Sequence, residues 1–120
     1  MSDYKNLPVW KKGMTFAHTV YAAVEVAGVK GSDAGKRLRK AAVSVPSLVG
    51  EAFLDLSGKD VDEALALADS KLAEVARLLG EDPALASIGG LERTGLLDDI
   101  ESLRADLEAL KLERGNEKAN

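Results

Sequence analysis

"VDEALALADSKLAEVARLLG", residues 61–80, decides the fold. Val61, Leu65, Ala68, Leu72, Val75 and Leu79 recur in alternating steps of four and three, the spacing of one helix face packed at a shallow angle on a partner. Asp60 with Glu63 three positions on reads as a capping-box-like start, and Gly80 as the stop.

Working outward, the next segment repeats the pattern with Leu96, Ile100, Leu103, Leu107 and Leu110, its exposed positions charged. Between the two, Asp82–Pro83 opens a short turn, "PALAS", closed by Gly89–Gly90. Upstream, a first segment runs from about Pro8, a good first-turn residue, to Gly28. Its seam reads Trp10, Met14, Ala17, Tyr21 and Val24. Gly13 inside it costs about 1 kcal/mol relative to alanine, which implies close packing against a neighbour. The second segment begins near Ser32–Asp33, either of which caps it, and carries Leu38, Ala42, Val45, Val49, Phe53 and Leu56. Pro46 lies mid-segment, removes a donor and presses its ring on the Ala42 carbonyl, so a kink is expected. That carbonyl then needs another donor or water, with Ser or Arg39 side chains as candidates.

These patterns predict helices near 9–27, 33–57, 60–80 and 92–112. At ~1.5 Å per residue the first, third and fourth come out roughly 28–30 Å long. Matched lengths with short connections predict an all-α, up-down-up-down four-helix bundle with its second helix kinked at Pro46. One domain covers residues 1–120, with flexible tails expected at about 1–8 and 113–120.

Composition agrees. The 120 residues are 46% hydrophobic and 4% aromatic, and a core of Leu, Ala and Val suits close-packed helices. The absence of cysteine removes disulfides, thiol catalysis and zinc–thiolate sites. With no signal-like N-terminal segment and no apolar run long enough to span a bilayer, a soluble cytoplasmic protein without a membrane partner is expected. The net charge is −4 but unevenly placed. Residues 1–50 carry eight Lys/Arg against three Asp/Glu, a balance of +5; residues 51–120 carry eight against seventeen, a balance of −9. Such a split serves helix–helix attraction within the fold, or subunits meeting head to tail.

Motifs for catalysis are missing. "GVKGSDAGKR" (28–37) departs from a phosphate loop, because three residues rather than four separate Gly31 and Gly35, and Arg37 follows Lys36 where Ser or Thr is needed. A helix–helix loop is the better reading. Paired metals in bundles need Glu-x-x-His pairs, whereas the single histidine, His18, has Thr15 three positions before it. Ser44 has no base and acid partners in its sequence context. Asp98, Asp99 and Glu101 point different ways around a helix and read as a solvated face. Neither an enzyme nor a cofactor or metal site is expected.

The stretches "NLPVWKKG" (6–13), "VY" (20–21) and "LRKAAVSVPSLVGEA" (38–52) carry a family resemblance. They are similar to the signature of the bacterial four-helix-bundle family that includes proteins encoded in intervening sequences of large-subunit ribosomal RNA. That signature pairs Asp/Asn-Leu-x-Val-Trp with Leu-Arg-Arg-Ala-Ala-Val-Ser-Ile/Val-Pro-Ala-Asn-Ile-Ala-Glu-Gly. Trp10, Arg39, Ser44, Pro46 and Glu51 stand where the motif has the same residues. Leu48 departs from its asparagine and Ala52 from its glycine. The resemblance covers the first half of the chain; the rest agrees in helix placement. It implies a bundle assembling into a ring of five subunits, in a family whose biochemical role is largely unestablished. A related branch comprises accessory proteins of diversity-generating retroelements, whose basic rings bind a reverse transcriptase and nucleic acid.

Two functional expectations follow. The first is a non-catalytic, oligomeric scaffold or interaction protein. Trp10, Met14, Phe16, Val20 and Tyr21 spread around more than one face of the first helix, and the surplus apolar surface calls for a second partner. The second is an RNA- or DNA-binding accessory protein that uses Lys36, Arg37, Arg39 and Lys40 weakly and in a salt-dependent way. The same cations read equally as a solvated face or as subunit contacts.

Overall fold

In a computed structural model that describes residues 4–54 and 61–119, four α-helices and two short 3-10 turns account for the fold, and no strand occurs among the described residues. The helices are α1 (Pro8–Ala27), α2 (Asp33–Leu54), α3 (Val61–Glu81) and α4 (Gly90–Ala119). The 3-10 turns span Tyr4–Asn6 and Pro83–Leu85. α1 packs on α2 and α4, and α3 on the same two. Each helix thus touches its neighbours in the chain and the first meets the last, the arrangement of an up-down-up-down bundle. The molecule measures 49 × 23 × 21 Å.

The α3 seam buries completely: Val61, Leu65, Ala68, Leu72, Val75 and Leu79 all face the core, joined by Leu78. From α4, Leu96, Ile100, Leu103 and Leu107 are buried and Leu110 packs at the edge. Leu38, Ala42, Val45 and Val49 do the same for α2, with Phe53 partly buried. Leu56 and the Asp60 half of the expected α3 cap lie outside the described residues.

The phase of α1 differs from expectation. Its buried stripe is Val9, Gly13, Phe16, Ala17, Val20, Ala23 and Val24. Trp10 and Met14 are only partly buried and Tyr21 is exposed. The two stripes lie one residue, roughly 100°, apart on the helix. Side-chain size alone favours Trp, Met and Tyr. The packed core instead takes the stripe holding Gly13, because that residue lies directly against Pro46 of α2.

Local signals explain the ends. α1 stops at Gly28, whose φ of 73° is left-handed; its N–H donates to the Glu25 carbonyl at 3.1 Å and that of Val29 to the Val24 carbonyl at 3.2 Å. This pair of bonds is a Schellman ending. Ser32 caps α2, its Oγ accepting from the Gly35 N–H at 3.0 Å. "GVKGSDAGKR" is therefore the α1–α2 loop (28–32) running into the first turn of α2, which begins at Asp33. α3 passes through Gly80 to Glu81, so Gly80 is not its stop. It ends at Asp82, whose side chain accepts from the Ala84 N–H at 3.0 Å to start the following turn.

Pro46 lies inside α2, which stays helical on both sides of it. The donors expected for the Ala42 carbonyl go elsewhere. Ser44 Oγ donates to the Lys40 carbonyl at 2.7 Å, Ser47 Oγ to that of Val43 at 3.1 Å, and Arg39 to that of Lys30 at 3.0 Å. Where a tail was expected past residue 112, α4 continues to Ala119. Its 30 residues extend ~45 Å, against roughly 30–33 Å for the other helices. No helix among the described residues is long and apolar enough to cross a membrane.

Candidate interaction surface

Trp10 and Met14 of α1 and Val43, Pro46, Ser47, Gly50 and Glu51 of α2 line an open groove of about 300 Å³. The groove exists because α1 and α2 approach through small groups: Gly13 is buried against the Pro46 ring, and Ala41 and Ala42 are buried beside it. Larger side chains flanking that line are left on the outside. Val43 is 40% exposed and Tyr21, further along α1, is 44% exposed.

The expected interface residues therefore divide. Tyr21 is exposed and Trp10 and Met14 are partly buried, Trp10 packing against the core, whereas Phe16 (1% exposed) and Val20 (0%) are committed to the protein's own core and offer no surface to a partner. Val43, Ser47 and Gly50 complete the groove; of these only Ser47 was singled out from sequence, as a small neighbour of Pro46. Their signal is the spacing of Lys36, Lys40, Val43 and Ser47, which places them on one stripe of α2.

The four candidate cations also divide. The Arg39 guanidinium carbon stands 5.6 Å from the centroid of the Tyr21 ring, a cation–π contact, while its terminal nitrogen holds the Lys30 carbonyl. Its Nε is buried without an acceptor. Arg39 thus ties the α1–α2 loop to α1 and is poorly placed to grip a phosphate. Lys36, Arg37 and Lys40 are exposed, and none of them forms an ion pair among the described residues.

The family-motif positions have identifiable structural work. Pro46 is buried, Ser44 is half-buried with its hydroxyl bound to Lys40, and Glu51 is exposed at the end of the groove. Leu48, standing where the motif has asparagine, packs on the core. No polar pair with Glu51 arises at that position.

The opposite charge lies on α4. Asp98, Asp99 and Glu101 are exposed and outside the ion pairs found among the described residues. Around them Leu91 (89% exposed), Leu97 (37%) and Leu112 (63%) are also on the surface, so the outer face of α4 is not charged throughout as its sequence suggested. Among the described residues no three His, Asp or Glu side chains are grouped as a metal site, and His18 is exposed. Compared with known proteins, the chain matches no family model and no curated sequence.

Proposed function

We propose that this chain is a non-catalytic, homo-oligomeric four-helix bundle serving as a scaffold or interaction protein. In this reading it is related to the ribosomal RNA intervening-sequence family that its first two helices resemble, with a ring of five as the assembly. One observation carries the reading. After the core is complete, Trp10, Met14 and Val43 remain around an open groove, and Tyr21 is exposed further along α1. Apolar surface of this kind on a small protein marks an interaction site. Light scattering coupled to size exclusion at micromolar concentration tests it. The expected mass is a multiple of 12.7 kDa; a single-chain mass overturns the reading, and a dimer keeps the contact while refuting the ring.

A second reading rests on Lys36, Arg37 and Lys40, which are exposed and form no ion pair among the described residues. In it the protein binds RNA or DNA through the α2 cations. The −9 balance of residues 51–120 opposes phosphate binding over most of the surface. Replacing the three cations by alanine then flattens the dependence of log affinity on log salt. Absence of binding to single- or double-stranded nucleic acid at low salt removes this reading.

A further inference from the structure

The α2 stripe and the outer face of α4 are complementary. On α2, Lys36 and Lys40 lead along one helix face into Val43 and the groove floored by Trp10 and Pro46. On α4, Leu97 stands beside Asp98 and one turn before Glu101, all exposed. One face is a hollow lined by apolar groups, with Lys36 and Lys40 toward one end and the Glu51 carboxylate at the other; the other face presents Leu97 with an acidic flank.

We propose that the outer face of α4 of one copy seats in the α1–α2 groove of the next, so that copies join head to tail. This rests on the homo-oligomer reading above and names the two surfaces that meet. Three observations support a second copy as the occupant. Both complementary faces are on the same chain, with opposite charges that form no ion pairs among the described residues. Pairing either face with itself brings like charges together, whereas the heterologous contact brings Lys36, Arg37 and Lys40 toward Asp98 and Glu101. Contacts of that kind close into rings when the rotation permits, and the rim charges set register. Finally, α4 continues to Ala119 beyond Leu110, which packs on the core, and Leu112 is exposed.

Charge reversal tests the contact in the full chain. Lys36→Glu, Arg37→Glu and Lys40→Glu together, or Asp98→Lys and Glu101→Lys together, each reduce the assembled mass to 12.7 kDa with unchanged helical circular dichroism. All five substitutions in one chain restore the assembled mass. A wild-type monomer overturns the oligomer reading itself. A wild-type oligomer that neither reversal disturbs, or that the fivefold variant fails to restore, overturns only the pairing of these surfaces. Cross-linking gives an independent measurement, since the chain lacks cysteine. Mixing Val43→Cys protein with Leu97→Cys protein and a short bismaleimide yields a covalent dimer, while each variant alone does not. Equal cross-linking of either variant with itself, or none in the mixture, overturns the head-to-tail contact.

Discussion

Gly13 of α1 rests on Pro46 of α2, with the position of an added Cβ 3.5 Å from the proline Cβ. That separation is ordinary van der Waals contact, so a methyl group fits against the neighbour whose close packing the sequence implied. Gly13→Ala is expected to raise stability by ~0.5–1 kcal/mol through helix propensity. Gly13→Leu overfills the contact and costs about 1–3 kcal/mol. Urea midpoints of the two variants against wild type check both signs.

Gly35 behaves differently. In the first turn of α2, a Cβ there collides with the Val29 carbonyl, whereas one on Gly31 in the preceding loop meets nothing within 4 Å. Gly35→Ala is therefore expected to destabilise by about 1–3 kcal/mol and Gly31→Ala to stay within about 0.5 kcal/mol of wild type. Thermal unfolding of the pair separates a loop held by this close approach from one that is merely flexible.

Arg93 is the clasp between α3 and α4. Its guanidinium donates to the Leu79 carbonyl near the end of α3, to Leu85 at 2.8 Å and to Ile88 at 3.2 Å. One planar fork binds three carbonyls around the α3–α4 turn, of which that of Leu85 also accepts from the Ile88 N–H. Arg93→Ala is expected to cost ~2–3 kcal/mol. Arg93→Lys recovers only part of this, because a point charge cannot reach all three oxygens. Denaturant midpoints and hydrogen exchange at residues 83–88 report the loss.

Arg104 grips Asp69 across the α3–α4 contact through two hydrogen bonds of 2.8 and 3.1 Å. The hydrogen bond to Asp69, then its charge, raise the arginine above its usual pKa. A raised folded-state value means the stabilisation is fully present below the unfolded-state pKa and is lost only as pH climbs through the folded one. For an arginine that window is strongly alkaline, so the arginine side of the pair is constant between about pH 7 and 10. The side chains are 46% and 34% exposed, and solvent screening holds the coupling to about 0.5–1 kcal/mol. A double-mutant cycle with Arg104→Ala and Asp69→Ala, repeated across that range, measures it.

The sequence by itself determined the helices, the α3 and α4 seams and the loop between α1 and α2. Leu65, Leu72, Leu79, Leu96 and Leu103 recur on a single apolar face, and one face leaves one way to pack. Gly28 and Ser32 set a helix end and a helix start through bonds to residues within five positions, so neighbours in sequence suffice to read them. Only the tertiary structure decided the rotation of α1. Its two apolar stripes lie one residue apart, and nothing local distinguishes them. The choice falls when Gly13 meets Pro46, 33 positions away, sending Phe16 and Val20 inside and leaving Trp10, Met14 and Tyr21 at the surface. The same holds for the cations. Arg39 is withdrawn by a ring 18 positions earlier, while Lys36 and Lys40 stay exposed, because contact between distant segments is a property of the fold and not of either segment.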